Sequence, residues 1–280
     1  MTPPATFAIG GDLDVRRLGF GAMRLCGPGS RGRPEDPGHA TRVLRRAVEL
    51  GANLIDTADS YGPEVNELQV AEALHPYPAG LVIATKGGLV RDDGTVPWPR
   101  DGRPEHLRAA CEGSLRRLRL ERIDLYQLHA PDPKVPLEES VGELARLRDE
   151  GKIRHVGLSN VSVDELRRAR RIVSVASVQN RYNIADRVFD DVLDECEREG
   201  IAFFPWRPLA VGELARPGGR LDRIARARGA TPSQVALAWL LARSPVVCPI
   251  PGTASLDHLE ENMAAADLTL SDDEVAAAVA

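Results

Sequence analysis

Residues 53–62 read Asn-Leu-Ile-Asp-Thr-Ala-Asp-Ser-Tyr-Gly, and this stretch indicates how the chain folds. A short apolar run ends in the carboxylate of Asp56, and a tyrosine followed by glycine comes five residues later. Two later apolar runs end in the same way, one at Lys86 and the other at His129. In a parallel α/β protein, reactive side chains gather where the strands end, because those ends meet at one face. The three runs therefore predict neighbouring strands that bring Asp56, Tyr61, Lys86 and His129 together.

Strand and helix signals alternate along the rest of the chain. Eight apolar runs of strand length, the last at residues 246–250, are separated by helical patterns. Two of the helices open with capping boxes, at Ser162 and Thr231. A turn at residues 10–12 predicts a short β-hairpin ahead of the first unit. The chain, 1–280, is therefore expected to form a single (β/α)8 barrel domain with its site at the strands' carboxyl ends. A doubly wound open sheet is the alternative.

Composition excludes several classes of function. The net charge is −5, from 36 basic and 41 acidic residues without a basic block, which argues against nucleic-acid binding. No apolar run approaches the roughly 18 residues of a membrane span, and the N-terminus lacks a signal-peptide pattern. The four cysteines show no C-x-x-C spacing and the six histidines show no metal-ligand spacing. We therefore expect a cytoplasmic protein with reduced, mostly buried thiols, no metal site and no membrane contact.

The four residues that meet at the strand ends suggest proton transfer. A tyrosine ordinarily has a pKa of about 10, and a nearby ammonium such as Lys86 is expected to lower that pKa. A carboxylate such as Asp56 keeps a buried ammonium charged, and His129 can orient the reacting oxygen. The group predicts a general acid for a carbonyl oxygen, or a base for an alcohol. Since no side chain supplies hydride, a redox reaction would need a nicotinamide cofactor.

Taken singly, each of these residues has an ordinary structural explanation. Asp56 could form a turn, Tyr61 could pack against a helix, and Lys86 could be a solvated strand end. A lone histidine such as His129 is more often structural than catalytic. Four reactive side chains at three consecutive strand ends are harder to explain by packing, so the joint pattern favours catalysis.

Six stretches resemble motifs of the aldo-keto reductases, in that family's order and over nearly the whole chain. They are residues 51–62, 84–87, 128–129, 157–160, 178–183 and 250–252. The resemblance implies a (β/α)8 barrel that binds NADPH, less often NADH, without a Rossmann domain. It implies Asp56, Tyr61, Lys86 and His129 as the catalytic tetrad, with Tyr61 as the proton donor.

The resemblance also implies which residues hold the cofactor. Ser159 and Asn160 match the pair that binds the nicotinamide carboxamide, and Gln179 matches its third polar contact. Trp206 stands where the family usually has a tyrosine stacked on the nicotinamide. The implied cofactor contacts are Met23, Asp56, Ser159, Asn160, Gln179, Trp206, Pro208, Leu209, Gly252, Thr253, Glu261 and Asn262.

Two positions depart from the family pattern. Arg207 replaces a small serine in the loop along the pyrophosphate, and His258 replaces an arginine that commonly binds the 2′-phosphate. A neutral imidazole binds phosphate less well than a guanidinium does. NADPH remains the expected cofactor, with NADH as the alternative, because backbone N–H groups at Gly252 and Thr253 can still hold a phosphate at a helix start.

The predicted substrate is a small carbonyl compound, which a monomeric enzyme would reduce to an alcohol. Trp98, Phe20, Met23, Tyr61 and Trp206 are expected to wall an aromatic pocket. Residues 18–29 and 204–209 resemble a bacterial branch with pyridoxal-reducing members, so pyridoxal or another aromatic aldehyde is a candidate substrate. Two alternatives stay open: a lyase that forms a Schiff base on Lys86, and a nucleotide-binding regulatory subunit without turnover.

Overall fold

The computed structural model describes residues 5–91, 98–215 and 218–279. The chain begins with an antiparallel hairpin of two strands, β1 (Thr6–Ile9) and β2 (Leu13–Arg16). Gly10 and Gly11 in its turn have φ angles of 63° and 87°, in the left-handed region that favours glycine. The predicted N-terminal hairpin is confirmed.

Seven parallel strands follow and pair in chain order, each with the next. They are β3 (Phe20–Gly21), β4 (Leu54–Asp56), β5 (Val82–Gly87), β6 (Ile123–Leu128), β7 (Ile153–Ser159), β8 (Val175–Arg181) and β9 (Ala202–Trp206). Because all seven run in one direction, their carboxyl ends lie at a common face.

The eighth predicted run, residues 246–250, closes the barrel without forming a regular strand. Phe203 of β9 exchanges two backbone hydrogen bonds with it, at 2.9 and 2.8 Å. On the other side, the Gly19 amide donates to the Pro249 carbonyl at 2.9 Å. Neither Pro249 in this closing segment nor Pro251 just after it has an N–H group, so the segment cannot complete a ladder of hydrogen bonds. The predicted (β/α)8 architecture is confirmed, with its last strand reduced to these contacts.

Helices surround the barrel. They are α1 (Pro37–Glu49), α2 (Val65–Leu74), α3 (Pro104–Leu118), α4 (Leu137–Asp149), α5 (Val163–Arg170), α6 (Asp190–Glu199), α7 (Asp222–Arg228), α8 (Pro232–Arg243), α9 (Leu256–Met263) and α10 (Asp272–Val279). The capping boxes predicted at Ser162 and Thr231 are both present, and each satisfies backbone N–H groups at a helix start. Within the described residues, none of the helices has the length and apolar character needed to cross a bilayer.

Side chains alternate between the barrel interior and the layer of helices, as the pleat of a strand requires. Leu54 and Phe204 point inward, where Ile9 and Val15 of the hairpin pack against the same apolar cluster. The hairpin therefore fills the amino end of the barrel and leaves the carboxyl end for the site.

Phe20 faces the opposite way from what the sequence analysis expected. It pairs with Ile55 in register, and both side chains are buried in the cluster between barrel and helices. Gly21 is the neighbour that pairs with Asp56. The prediction that Phe20 walls the pocket is therefore wrong, because a shift of one residue along a strand exchanges its two faces.

Candidate active site

Asp56 and Lys86 form a buried ion pair at the carboxyl ends of β4 and β5. Lys86 is fully buried, and its Nζ donates to Asp56 Oδ2 at 2.7 Å and to the Thr57 carbonyl at 2.8 Å. Burial alone lowers the pKa of Lys86, but the charge of Asp56 and the hydrogen bonds to Asp56 and Tyr61 together outweigh it, so the pKa is raised. The side chain therefore stays an ammonium ion.

Tyr61 lies directly beside this ammonium. The Lys86 Nζ lies 3.4 Å from the phenol oxygen, and the Tyr61 side chain is buried. Burial raises the pKa of Tyr61, while Lys86 acts in the opposite direction without reversing the shift. The sequence analysis expected the ammonium to lower this pKa overall, and the larger effect of burial corrects that expectation. The phenol accordingly holds its proton at neutral pH.

His129 completes the group that the sequence predicted to converge. Its ring meets the Tyr61 ring edge-on, with centroids 5.7 Å apart, and its Nδ1 lies 3.4 Å from the Ser60 hydroxyl oxygen. Burial, and then the Lys86 charge, hold the pKa of His129 well below its ordinary value. A neutral imidazole has one N–H group, which it can donate to an oxygen above Tyr61.

The depressed pKa of His129 predicts a loss of stability in mild acid. Below about pH 6.5 the unfolded chain binds a proton here that the folded protein does not, so stability falls as pH falls. This one group should change the free energy of unfolding by up to roughly 1.4 kcal/mol per pH unit. Urea unfolding of wild type and His129→Gln between about pH 7.5 and 5.5 measures it, since the variant lacks this component. Equal slopes in the two proteins would show that His129 is not held neutral.

Two glutamines fix the second carboxylate oxygen of Asp56. Gln179 Nε2 donates to Oδ1 at 2.9 Å, and Gln127 Nε2 lies 3.4 Å from the same atom. The structure thus connects Gln179 to the ion pair, whereas its sequence motif suggested only a cofactor contact. Sequence reasoning missed Gln127, although it lies on β6 two residues before His129 and directly opposite Lys86 in register.

Ser159, Asn160 and Trp206 form a second connected group at the same end of the barrel. Asn160 has a left-handed φ of 59°, and its Nδ2 donates to the His129 carbonyl at 2.9 Å and to Ser159 Oγ at 3.0 Å. Trp206 Nε1 donates to Asn160 Oδ1 at 3.1 Å. These bonds orient the Trp206 indole and place an amide and a hydroxyl beside the backbone of His129.

The remaining predicted cofactor residues follow the carboxyl ends of the strands or lie on α9, and one of them, Met23, packs against the cluster that contains Tyr61. Pro208 and Leu209 follow β9, while Gly252 and Thr253 follow the closing segment. The other three are Met23, beyond β3, and Glu261 and Asn262 of α9. The Glu261 carboxylate already accepts a hydrogen bond from Thr231 Oγ1 at 2.6 Å, so it also holds the start of α8.

Arg91 was missed by the sequence analysis, and it holds Trp98 in place. Its guanidinium carbon lies 4.4 Å from the centroid of the Trp98 ring, and it donates hydrogen bonds to the carbonyls of Gly29 and Ser30. The Trp98 ring meets the Tyr61 ring edge-on, with centroids 6.3 Å apart. Arg91 thus connects the loop after β5 with the loop after β3 and fixes one wall of the pocket.

Replacing Arg91 with alanine is expected to loosen that wall without touching the reacting groups. Loss of a cation–π contact worth about 0.5–2 kcal/mol should raise KM for aromatic aldehydes roughly 2- to 30-fold. The kcat for a small aliphatic aldehyde should stay close to wild type. Arg100→Ala is the matched control, since Arg100 also donates to a backbone carbonyl, that of Pro131. An equal loss of kcat with every aldehyde would contradict the view that Arg91 acts only by holding Trp98 in place.

Comparison with known proteins agrees with this geometry. The model of the Aldo/keto reductase family matches residues 17–280. The chain is 52% identical over 261 residues to an uncharacterized oxidoreductase of Schizosaccharomyces pombe, covering 93% of this chain and 85% of that one. It is 43% identical over 275 residues to pyridoxine 4-dehydrogenase of Escherichia coli, covering 96% and 95%.

A solved structure shares the whole fold. It is the crystal structure of an aldo/keto reductase from Klebsiella pneumoniae in complex with NADP and acetate, similar with a TM-score of 0.84 and 30% identity. The match covers 98% of this chain and 94% of that one. The resemblance inferred from the sequence motifs is confirmed: the chain belongs to the aldo/keto reductase family of oxidoreductases.

Proposed function

We propose that the protein reduces the carbonyl group of an aldehyde or ketone to an alcohol, with NADPH as the hydride donor. The observation that carries the proposal is the Lys86 ammonium, which lies within hydrogen-bonding distance of both Asp56 and the Tyr61 phenol. When bound, the cofactor supplies hydride to the carbonyl carbon. The residues of the chain supply the proton and hold the substrate oxygen.

Tyr61 is the proton donor in this proposal. The O–H proton of Tyr61 would pass to the carbonyl oxygen, on which negative charge develops during the reduction. The ammonium of Lys86 stabilises the phenolate that remains, and Asp56 keeps that ammonium charged. The neutral His129 donates its N–H to the same oxygen and so orients the substrate.

The second connected group is suited to the nicotinamide end of the cofactor. Ser159 and Asn160 offer a hydroxyl and an amide to the carboxamide, and the partly exposed Trp206 indole offers a flat face for stacking. The complex of the Klebsiella relative with NADP supports the choice of cofactor. The other proposed contacts are Met23, Asp56, Gln179, Pro208, Leu209, Gly252, Thr253, Glu261 and Asn262.

The aromatic wall favours flat substrates. Trp98, Tyr61 and Trp206 present rings toward the site, and one relative is pyridoxine 4-dehydrogenase of Escherichia coli. We therefore name pyridoxal and other aromatic aldehydes as the candidate substrates. A monomeric state and a cytoplasmic location stay predictions from the sequence.

The test is NADPH oxidation by the purified protein with pyridoxal, substituted benzaldehydes and short aliphatic aldehydes. Turnover that is fastest with aromatic aldehydes supports the proposal. Turnover of the other aromatic aldehydes without turnover of pyridoxal would remove only pyridoxal from the candidate substrates. Borohydride trapping of a substrate on Lys86 would favour the lyase instead. Tight NADPH binding without turnover of any carbonyl compound would favour the regulatory subunit.

A further inference from the structure

We propose that Ser60 is a positioning residue for the reduction: its hydroxyl holds Nδ1 of His129 and leaves an N–H at Nε2 for the substrate oxygen. The inference rests on the proposed function and deepens it. Ser60 Oγ lies 3.4 Å from His129 Nδ1, and the two residues are only 3% and 6% exposed. Because water has little access to this contact, the hydroxyl and the ring nitrogen depend on each other for a hydrogen bond.

The backbone is fixed on both sides of this contact. The His129 amide donates to the Gly87 carbonyl at 2.9 Å, which ties the end of β6 to β5. The Tyr61 amide donates to the Ala58 carbonyl at 3.2 Å and closes the turn that carries Ser60. The freedom that remains is rotation of the imidazole about its side-chain bonds. A hydrogen bond at one ring nitrogen restricts that rotation.

The two ring nitrogens of His129 have different surroundings. Ser60 Oγ is the hydrogen-bond partner of Nδ1, whereas Nε2 has no partner within the described residues. Nε2 is also not one of the enclosed unpaired polar atoms in that part of the chain, so it borders accessible space. The nitrogen that a substrate oxygen can approach is therefore Nε2.

Hydrogen bonding decides which nitrogen of the neutral ring carries the proton. A proton on Nδ1 would be donated to Ser60 Oγ, and the buried hydroxyl hydrogen would then have no acceptor among the described residues. If Ser60 instead donates its O–H to Nδ1, the proton is on Nε2 and every group has a partner. Only this second arrangement gives a donor, rather than a lone pair, to an oxygen that gains negative charge.

This role predicts a change that can be observed in the ring itself, without turnover. Nitrogen-15 spectra of the histidine-labelled protein distinguish the two tautomers, and wild-type His129 should carry its proton on Nε2. In Ser60→Ala both tautomers should be populated, so the shifts of the two ring nitrogens should move toward each other. Ser60→Thr keeps the hydroxyl and should resemble wild type. His129→Phe, which lacks these signals, identifies them.

The same substitution should slow the reaction through His129 alone. Ser60→Ala should lower the single-turnover rate about 3- to 10-fold, the effect of losing one neutral hydrogen bond. In a His129→Phe background it should cause no further loss. Ser244→Ala is the matched control and should leave the rate unchanged. Ser244 is also 3% exposed, its Oγ lies 3.4 Å from the Val246 amide nitrogen, and it precedes the closing segment at the amino end of the barrel.

The experiment combines these spectra with single-turnover rates and Tm for each protein. A slower Ser60→Ala with wild-type Tm, altered nitrogen shifts and no added loss in the His129→Phe background supports the proposal. A wild-type ring protonated on Nδ1, or unchanged shifts in Ser60→Ala, would overturn it. Equal fold losses in the two backgrounds would also overturn it, because Ser60 would then act independently of His129. A wild-type rate in Ser60→Ala would remove the role of Ser60 alone, whereas a wild-type protein that reduced no carbonyl compound would remove the proposed function as well.

Discussion

Tyr61→Phe is expected to bind NADPH about as tightly as wild type and to reduce aldehydes about 100- to 10,000-fold more slowly. The substitution removes only the hydroxyl group, so the ring still packs against Trp98 and His129. The lost hydroxyl is the proposed proton source, and neither neighbour is suited to replace it, because the Lys86 ammonium is held by Asp56 and His129 is neutral. Single-turnover rates with saturating NADPH measure the loss directly.

Tyr77→Phe is the matched control for this prediction. The Tyr77 phenol is partly buried and donates a hydrogen bond to the Leu118 carbonyl at 2.8 Å, but it lies outside the site. Its removal should cost about 1 kcal/mol of stability and leave the rate unchanged. If Tyr61→Phe kept more than a tenth of the wild-type rate, the proton would have to come from another group, and the assigned role of Tyr61 would be wrong.

The second large effect concerns the buried ion pair. Asp56→Asn leaves an ammonium without a counter-ion, and Lys86→Met leaves a carboxylate without one, so each should lower the free energy of unfolding by about 3–5 kcal/mol. The double variant removes both charges and should cost clearly less than the sum of the two single changes. All three proteins should be nearly inactive, because none of them retains the charged ammonium and its partner beside Tyr61.

Urea unfolding of the four proteins at neutral pH measures this coupling. A double variant that regains stability but not activity would show that the ion pair contributes separately to stability and to catalysis. Strictly additive losses would instead show that Asp56 and Lys86 act on stability independently. In that case Gln179 and Gln127, which also contact Asp56, would be its main stabilising partners.

The sequence predicted the barrel because strand, helix and turn signals agreed along the chain. It predicted that Asp56, Tyr61, Lys86 and His129 would converge because neighbouring parallel strands end at one face. It failed at Phe20, where the inward and outward faces of a two-residue strand were exchanged. Strand boundaries carry an error of that size when only hydrophobic periodicity is available.

Sequence patterns did not predict the contacts between loops. Arg91 is 61 residues from Ser30 along the chain, so nothing local indicates that they bond. To predict the direction of the Tyr61 pKa shift, the effect of burial, which raises the pKa, has to be compared with the effect of the Lys86 charge, which lowers it. Gln127 looked like any polar strand residue until the register with β5 placed it opposite the lysine.

Pro249 in the closing segment and Pro251 just after it weaken the barrel at one junction between strands. Between β9 and β3, only a few backbone bonds join the two sides, because Pro249 and Pro251 contribute carbonyls alone. This junction should therefore separate before the others when the protein is heated. The proposed cofactor contacts Trp206 and Met23 lie on the two sides of this junction, so a bound cofactor would reinforce the barrel at its least bonded position.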